Sequence, residues 1–417
     1  MAKVELVFSG PVTSRSGYGS RSRDLVVSLM KMDKYDIRIF DTSWGGCSKD
    51  ALKTEDPHDI QSLICKPELH KKPQVWVQVS TPLGFQPMGL YNIGITAGIE
   101  TDRVIPKWLQ QANKMDLLLV SSEHSKNGFV NPSYDVVDNG VKRGELKCDI
   151  PVEVLFEGLD VNVYNKKSTD SMDKTLKQVK EDFCYLYVGH WLPGEFGHDR
   201  KNTGLMIRTF LEAFKNKAPR NQPALILKTS SATTTVTDRE DILGKIEQIK
   251  TSIGSKKLPK IYLLHGNLTD SEMNDLYNHK KIKAMISMTH GEGFGRPLLE
   301  FGATGKPIIA SGWSGHMDFL KEHSILINGQ MSQVHKSTIW QDFINEDAQW
   351  FYPDPNHAFA LMNDVYGNYK LHTSKSRKQP KYVKDNFTLD HMTTKFSSIL
   401  DANIPSFEIK IPKLEEI

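Results

Sequence analysis

The stretch that decides the fold is Thr289-His290-Gly291-Glu292-Gly293-Phe294-Gly295-Arg296-Pro297-Leu298-Leu299-Glu300. The apolar run 284–288 precedes it and is typical of a buried strand. Three glycines then interrupt regular structure. Pro297 suits the first turn of a helix, where its missing N–H costs nothing, and residues 298–303 continue that helix. The order predicted here is strand, glycine-rich loop and helix start.

This loop has the chemistry of a ligand site. The free N–H groups and the dipole of a helix start favour an anion, and glycines let a phosphate approach the backbone. Two carboxylates, Glu292 and Glu300, bracket the loop. Carboxylates do not suit a phosphate, but they are strong acceptors for the hydroxyls of a sugar. The alternative interpretation is an ordinary strand-to-helix turn with two solvated glutamates.

The wider sequence favours the ligand site. Glu-Gly-Phe-Gly-x-Pro-x-x-Glu at 292–300, residues 305–311 and Ser314-Gly315-His316 resemble the signature of retaining glycosyltransferases with the GT-B fold, the large family four. The resemblance implies two Rossmann-like α/β domains facing a cleft, with a C-terminal helix that crosses back to the first domain. It implies that Glu292 contacts the donor sugar and that Glu300 holds the ribose hydroxyls of the nucleotide. The loop residues that would face the sugar and diphosphate are Gly293, Phe294, Gly295, Arg296, Pro297 and Leu298.

Size and composition fit a two-domain enzyme. The chain has 417 residues, 39% of them hydrophobic and 25% charged, and its net charge is +3. This charge predicts no general attraction to nucleic acid. Four widely spaced cysteines indicate neither a zinc site nor a disulfide framework, and they fit a reducing cytoplasm. We find no signal peptide and no run of about 18 apolar residues, so the expected location is cytoplasmic, or the host cytoplasm if a phage encodes the chain.

Strands alternate with helices along the chain, which predicts parallel sheets covered on both faces. We expect an acceptor domain at 1–165, a polar linker at 166–180, a nucleotide-sugar domain at 181–385, and a crossover helix with a tail of no clear structure at 386–417. The predicted strands are 4–8, 36–40, 75–79, 91–99, 117–120, 152–155, 184–189, 224–228, 261–264, 284–288 and 307–310.

The first strand is also followed by a glycine loop and a helix. In the family a loop at this place lies under the donor phosphates, and Gly17 and Gly19 match it. A plain tight turn is the alternative.

The resemblance also implies a basic pair after the first strand of the second domain, where the donor diphosphate would lie. His190 stands where the family usually has arginine. Lys201 fits the lysine position, and Arg200 is the candidate to replace the missing arginine because its planar fork binds two phosphate oxygens. Lys228, which ends the next strand, joins the donor-binding candidates. A solvated basic turn is the alternative for Arg200 and Lys201.

The histidine that many relatives carry after the fourth strand is absent, and Ile99-Glu100-Thr101-Asp102 stands there instead. Either Glu100 or Asp102 could approach the acceptor hydroxyl as a base. The structural alternative is that Glu100 pairs with Arg103.

The family is thought to react by front-face attack, in which the leaving diphosphate takes the acceptor proton. The candidate catalytic residues are then Glu292, Lys201, Arg200 and Glu100, which position the sugar and neutralise charge. We expect no cofactor, because the nucleotide sugar, such as a UDP-linked sugar, is the donor substrate. No metal is expected, because the sequence contains no Asp-x-Asp.

The acceptor is the open question. Residues 94–102 are similar to those of glycosyltransferases from large tailed bacteriophages, some of which modify hydroxymethylated DNA. A hydroxymethylated base in phage DNA is therefore the first candidate acceptor, and a glycan, a lipid or a protein is the alternative. A sugar epimerase, a phosphorylase or a nucleotide-sugar binding protein without turnover are alternative functions. Basic clusters at 66–72, 256–260, 280–283 and 375–384 would favour a polyanion only if they lined the cleft. The aromatic candidates to line the acceptor are Trp44, Trp76, Phe85, Tyr91 and Trp108.

Overall fold

The computed structural model describes residues 3–231 and 233–407. Its first sheet has six parallel strands in the spatial order β2-β1-β3-β4-β5-β8. Within this part of the chain, β6 and β7 form a separate antiparallel hairpin. The strands are β1 Val4–Gly10, β2 Tyr35–Asp41, β3 Val75–Val79, β4 Tyr91–Thr96, β5 Leu117–Val120, β6 Tyr134–Asp138, β7 Val141–Leu146 and β8 Val152–Val154.

The second sheet is also parallel, with the order β11-β10-β9-β12-β13-β14. This is the order of a doubly wound dinucleotide-binding sheet, in which the chain changes direction between its first and fourth strands, here β9 and β12. The strands are β9 Cys184–His190, β10 Ala224–Ser230, β11 Ile261–Leu264, β12 Ile282–Ser287, β13 Ile308–Ser311 and β14 Ile325–Ile327, followed by the antiparallel hairpin of β15 Gly329–Gln333 and β16 Gln349–Pro353.

Helices cover both sheets. In the first half of the chain they are α1 Gly17–Met32, α2 Ala51–Thr54, α3 Pro106–Ala112, α4 Glu123–Val130 and α5 Asp173–Leu176. In the second half they are α6 Thr203–Phe214, α7 Val236–Ile253, α8 Asp270–Asn278, α9 Arg296–Gly302, α10 Met317–Leu320, α11 Pro355–Gly367, α12 Tyr369–Ser376, α13 Gln379–Asn386 and α14 Leu389–Asn403. Several begin at side-chain caps, which satisfy N–H groups that the first turn leaves free. Ser16 caps α1, and Thr269 with Glu272 forms a capping box on α8.

The last helix, α14, crosses back to the first domain. Leu389, Met392, Phe396 and Leu400 are buried in the core that contains β1 and α1. The crossing is fixed where Leu159 pairs with residues 387–389 through backbone hydrogen bonds of 2.8 and 2.9 Å. The predicted pair of Rossmann-like domains with a returning C-terminal helix is therefore confirmed.

Residues 166–180, the predicted linker, pack against the second sheet. Met172, Leu176 and Val179 are buried in its core. Asp275 of α8 accepts hydrogen bonds from the amide of Thr169 at 2.8 Å and the hydroxyl of Ser171 at 2.6 Å. The exact domain boundaries stay a prediction.

The structure differs from the predicted elements in a few places. The fourth strand ends at Thr96 rather than at residue 99, because the next amide, of Ala97, donates to the hydroxyl of Tyr18 at 3.1 Å instead of to a neighbouring strand. Strand β14 and both hairpins were not predicted. The tail from 408 onward lies outside the described residues.

Among the described residues, no helix combines the length and the apolar character that crossing a membrane requires. The cytoplasmic location stays a prediction.

The packing of α14 leads to a stability prediction. Phe396 is fully buried between the crossover helix and the first sheet. We expect Phe396→Ala to lower the free energy of unfolding by about 3–5 kcal/mol, because it removes a buried ring and leaves a cavity. Urea unfolding followed by circular dichroism measures this. The exposed Ser398→Ala on the same helix is the control, and an unchanged midpoint for Phe396→Ala would contradict this packing.

Candidate functional site: the cleft between the two sheets

The glycine-rich loop follows β12 and is held by the segment after β13. The amide of Glu292 donates to the hydroxyl of Ser314 at 2.8 Å, and the amide of Gly315 donates to the carbonyl of Glu292 at 2.9 Å. The buried His316 ring contacts the carbonyl of Ser311 at 2.6 Å. Gly295, with φ +95°, turns the chain into α9. The Ser314-Gly315-His316 part of the signature thus supports the Glu292 loop.

Lys201 and Glu292 form an ion pair at the carboxyl edge of the second sheet, and each side chain is 13% exposed. Lys201 precedes α6, in the loop after β9, and Glu292 lies in the loop after β12. The pair therefore stands where the sheet changes direction, the usual ligand crevice of such sheets. Burial lowers the pKa of Lys201 to about 8. Burial raises the pKa of Glu292, but the positive charges of Lys201 and Arg200 outweigh it, so that this pKa is lower than usual.

Arg200 reaches across the cleft to Glu100 of the first domain, and the two side chains form an ion pair. The alternative pairing of Glu100 with Arg103 is wrong. Arg103 instead binds Asp102 at 2.8 Å, and Asp102 also accepts from the amide of Gln349 at 2.7 Å. Asp102 is therefore hydrogen-bonded to β16 of the second domain, whereas Glu100 is paired with a cation of the cleft, Arg200.

Glu300 is buried in the second domain, on α9. Its carboxylate accepts from the hydroxyl of Tyr277 at 2.9 Å and from Nε of Arg296 at 3.0 Å. Burial raises the pKa of Glu300 to about 7, against the attraction of Arg296. Arg296 also contacts Asp24 of α1 in the first domain at 2.5 Å.

The two domains meet closely at the glycine-rich loop. A β-carbon added at Gly291 would overlap the carbonyl oxygen of Glu100, and one at Gly293 would lie 2.5 Å from the carbonyl oxygen of Ala97. Ser122 of the first domain donates to the carbonyl of Gly293 at 2.6 Å. The glycines at 291 and 293 therefore allow backbone-to-backbone contact between the domains.

The two glycines after β1 have different surroundings. A β-carbon at Gly19 would overlap the carbonyl oxygen of Ser14, so the packing of the loop on α1 requires glycine at this position. Gly17 has no atom within 4 Å of such a β-carbon, and it starts α1 beside Tyr18. Of the two, Gly17 is the one with space for a ligand.

The remaining candidate residues differ in burial and in their contacts. His190 is exposed at the end of β9, and its ring lies 3.2 Å from the hydroxyl of Ser230. Lys228 donates to the carbonyl of Gly266 at 2.7 Å, and burial lowers its pKa to about 8. The side chains of Phe294 and Leu298 are in the core of the second domain, so any contact with a donor would come from their backbone. Pro297 lies in the first turn of α9.

Several residues of the cleft were not predicted from sequence. Tyr18 lies on the first-domain side, where its ring stacks on Trp44 at 3.7 Å. Of the five aromatic candidates, Trp76, Phe85 and Trp108 are buried in the first-domain core, whereas Trp44 and Tyr91 are partly exposed. Tyr277 and Asp24 were missed because only the fold brings them to Glu300 and Arg296. Among the described residues, no group of three or more His, Cys, Asp or Glu side chains is placed to hold a metal ion.

Comparison with known proteins identifies the architecture. The crystal structure of Anabaena HepE in complex with UDP and glucose superposes with a TM-score of 0.63 at 13% identity, covering 96% of this chain and 100% of that one. A glycosyltransferase from Rickettsia africae gives 0.64 at 12% identity, covering 97% and 99%. Sucrose-phosphate synthase from Thermosynechococcus elongatus gives 0.62 at 10% identity, covering 96% and 99%. The chain has the GT-B fold.

The family comparison concerns one segment of this GT-B chain. Residues 241–340 match the model of the family Glycosyl transferases group 1. The segment contains the glycine-rich loop with Glu292 and Glu300, but not Lys201, Arg200 or the first domain. No curated protein matches the sequence of the chain.

The raised pKa of Glu300 predicts a pH dependence of stability. Between the ordinary pKa of 4.5 and about 7, the folded chain keeps a proton on Glu300 that the unfolded chain releases. The contribution of this group to stability is therefore complete below about 4.5 and is lost as the pH rises through 7. We expect Glu300→Gln to gain stability relative to the parent as the pH is raised.

Urea midpoints of the parent and of Glu300→Gln at several pH values across this interval test the prediction. Glu346→Gln, at an exposed position, is the matched control. Parallel curves for the parent and Glu300→Gln would show that Glu300 titrates normally.

Proposed function

We propose that this protein is a retaining glycosyltransferase that moves a sugar from a nucleotide-sugar donor to an acceptor hydroxyl. The observation that carries the proposal is the pairing of Lys201 with Glu292 at the point where the second sheet changes direction, with Glu300 on the adjoining helix. A cation suits a diphosphate there, and two carboxylates suit the hydroxyls of a sugar and a ribose. The match of residues 241–340 to the group 1 family supports the same chemistry.

In this mechanism the donor lies along the carboxyl edge of the second sheet. Glu300 accepts hydrogen bonds from the ribose hydroxyls, and Glu292 from the sugar. Lys201 and Arg200 face the diphosphate and stabilise the negative charge that develops as the sugar bond breaks. The site excludes water well, as the burial of the Lys201–Glu292 pair indicates, and this strengthens each electrostatic interaction.

Retention of configuration is part of the proposal. Attack from the face of the departing diphosphate lets a diphosphate oxygen take the proton of the acceptor, so that no protein base is needed. Glu100 supports this view, because it is paired with Arg200 and holds that guanidinium beside Lys201. In this arrangement Glu100 positions a cation that faces the leaving group.

A UDP-linked sugar is the proposed donor. The support is the similarity in fold to HepE, whose structures contain UDP or UDP-glucose. The carboxylates of Glu292 and Glu300 are suited to hydroxyls of any hexose, so the proposal names the nucleotide and leaves the sugar open.

We propose that the acceptor is a hydroxyl group of a glycan, a lipid or a protein. A hydroxymethylated base in phage DNA is the alternative. Three of the four basic clusters bear on this choice. Residues 66–72 precede β3, residues 256–260 precede β11, and residues 280–283 span the start of β12. They therefore lie at the amino edges of the sheets, opposite the edge that forms the cleft. They give DNA no support as the acceptor. Epimerase activity or binding without turnover is a weaker candidate, because Lys201 and Arg200 suit a departing diphosphate.

A screen of nucleotides gives the first prediction of this function. UDP should raise the thermal midpoint of the purified chain without added magnesium, because a ligand that binds only the folded state stabilises it, by about 2.7 kcal/mol at a hundred times Kd. Differential scanning fluorimetry with UDP, GDP, ADP and CMP, with and without magnesium, makes the comparison. A larger shift with another nucleotide would correct the donor, and no shift with any would overturn the donor site.

Substitution at the site gives the second prediction. Lys201→Ala and Glu300→Ala should each abolish transfer from the nucleotide sugar while the protein stays folded, because one loses the diphosphate cation and the other the ribose acceptor. The released nucleoside diphosphate measures the rate, and the anomeric coupling in the proton NMR spectrum of the product measures its configuration. Lys260→Ala, at the amino edge of the second sheet, is the control. Full activity of either site variant would refute the assignment, and an inverted product would refute retention.

A further inference from the structure

We propose that Arg296 is a positioning residue that couples contact between the two domains to the donor-binding carboxylate Glu300, through Asp24. The inference rests on the proposed function, since it assumes that Glu300 holds the ribose of the donor. It concerns Arg296, which the sequence predicted as a loop residue facing the donor and which the signature leaves unspecified.

The guanidinium of Arg296 contacts both domains, and it uses a different nitrogen atom for each. Nε donates to Oε1 of Glu300 at 3.0 Å, within the second domain. Nη1 contacts Oδ2 of Asp24 at 2.5 Å, and Asp24 lies on α1 of the first domain. The planar guanidinium fixes the angle between these two contacts. The position of Arg296 at Glu300 therefore depends on where the first domain stands.

The surroundings make this link strong. The side chains of Arg296 and Asp24 are 13% and 15% exposed, and that of Glu300 is 8% exposed. Glu157, at the crossing between the domains, lies 3.9 Å from Nη1 of the same guanidinium. In such a site the loss of Asp24 removes part of the charge that compensates the buried guanidinium, so we expect its contacts with Glu157 and Glu300 to change.

Glu300 has only one other polar partner among the described residues, the hydroxyl of Tyr277 at 2.9 Å. Tyr277 and Arg296 together set the plane of the carboxylate and decide which lone pairs face the cleft. If the first domain moves away, Arg296 loses its contact with Asp24, and the geometry of its hydrogen bond to Glu300 changes. Donor affinity should therefore fall when Asp24 is altered, although Asp24 lies on the opposite domain. By linkage, donor binding should favour contact between the domains.

The test uses the 417-residue chain with UDP as the probe. We expect Asp24→Asn to weaken the binding of UDP by about tenfold, within the usual range of coupling between sites. Arg296→Gln should weaken it at least as much. The double variant should be no weaker than Arg296→Gln, because both changes break one chain of contacts. Asp24→Glu should restore part of the affinity. Isothermal titration below the thermal midpoint of each variant gives Kd.

Asp33→Asn is the matched control, an exposed aspartate at the end of the same helix α1. A second readout separates coupling from simple destabilisation. The radius of gyration from X-ray scattering should decrease when UDP binds to the parent, and it should decrease less for Asp24→Asn. A variant that is only less stable would keep the Kd and the contraction of the parent.

The outcomes also separate this inference from the proposed function. If the parent binds UDP and Asp24→Asn binds it equally well, the coupling is wrong and the donor site stands. Additive losses in the double variant would likewise overturn the coupling. If the parent binds none of the four nucleotides, the proposed donor site fails and the inference fails with it.

Discussion

Charge balance inside the cleft is the constraint on which the rest of this structure depends. Arg200, Lys201 and Arg296 are largely withdrawn from water, and each is paired with a carboxylate. Such pairs matter because a buried charge that loses its partner keeps the cost of desolvation without the attraction that offsets it. Two of these three cations take a partner from the first domain. The relative placement of the two sheets is therefore required by the electrostatics of the site as well as by apolar packing.

The regular parts of the fold could be predicted because they are local. Each of the eleven predicted strands is present, since short, mainly apolar runs flanked by glycine or polar residues are a clear signal. The short strand β14 was missed because three apolar residues are too few to distinguish a strand. Both hairpins were missed because their strands include exposed positions with mixed polarity, and β15 is exposed along its whole length. The stability of these hairpins depends on neighbours that the local sequence does not name.

In the candidate site, too, the residues that are close in sequence could be predicted together, whereas the long-range pairs could not. Glu292 and Glu300 are eight positions apart in one loop and helix, so their spacing alone locates them together. Asp24 and Arg296 are separated by 272 residues, and nothing in the local sequence marks one as the partner of the other. The same holds for Glu100, whose partner is Arg200 and not the adjacent Arg103. Local chemistry therefore indicates which side chains are candidates for a ligand site, whereas the fold decides which of them neutralise one another.

The absence of side chains at Gly291 and Gly293 has a consequence for how this protein can evolve and be engineered. The carbonyls of the opposite domain occupy the space that a β-carbon would need, so even alanine would act as a wedge between the domains. Any side chain at these two positions therefore disturbs the contact between the domains, whatever the substrate. New specificities would have to arise in the surrounding loops, such as the one that carries Trp44. Conversely, one added methyl group offers a simple means of holding the two domains apart for study.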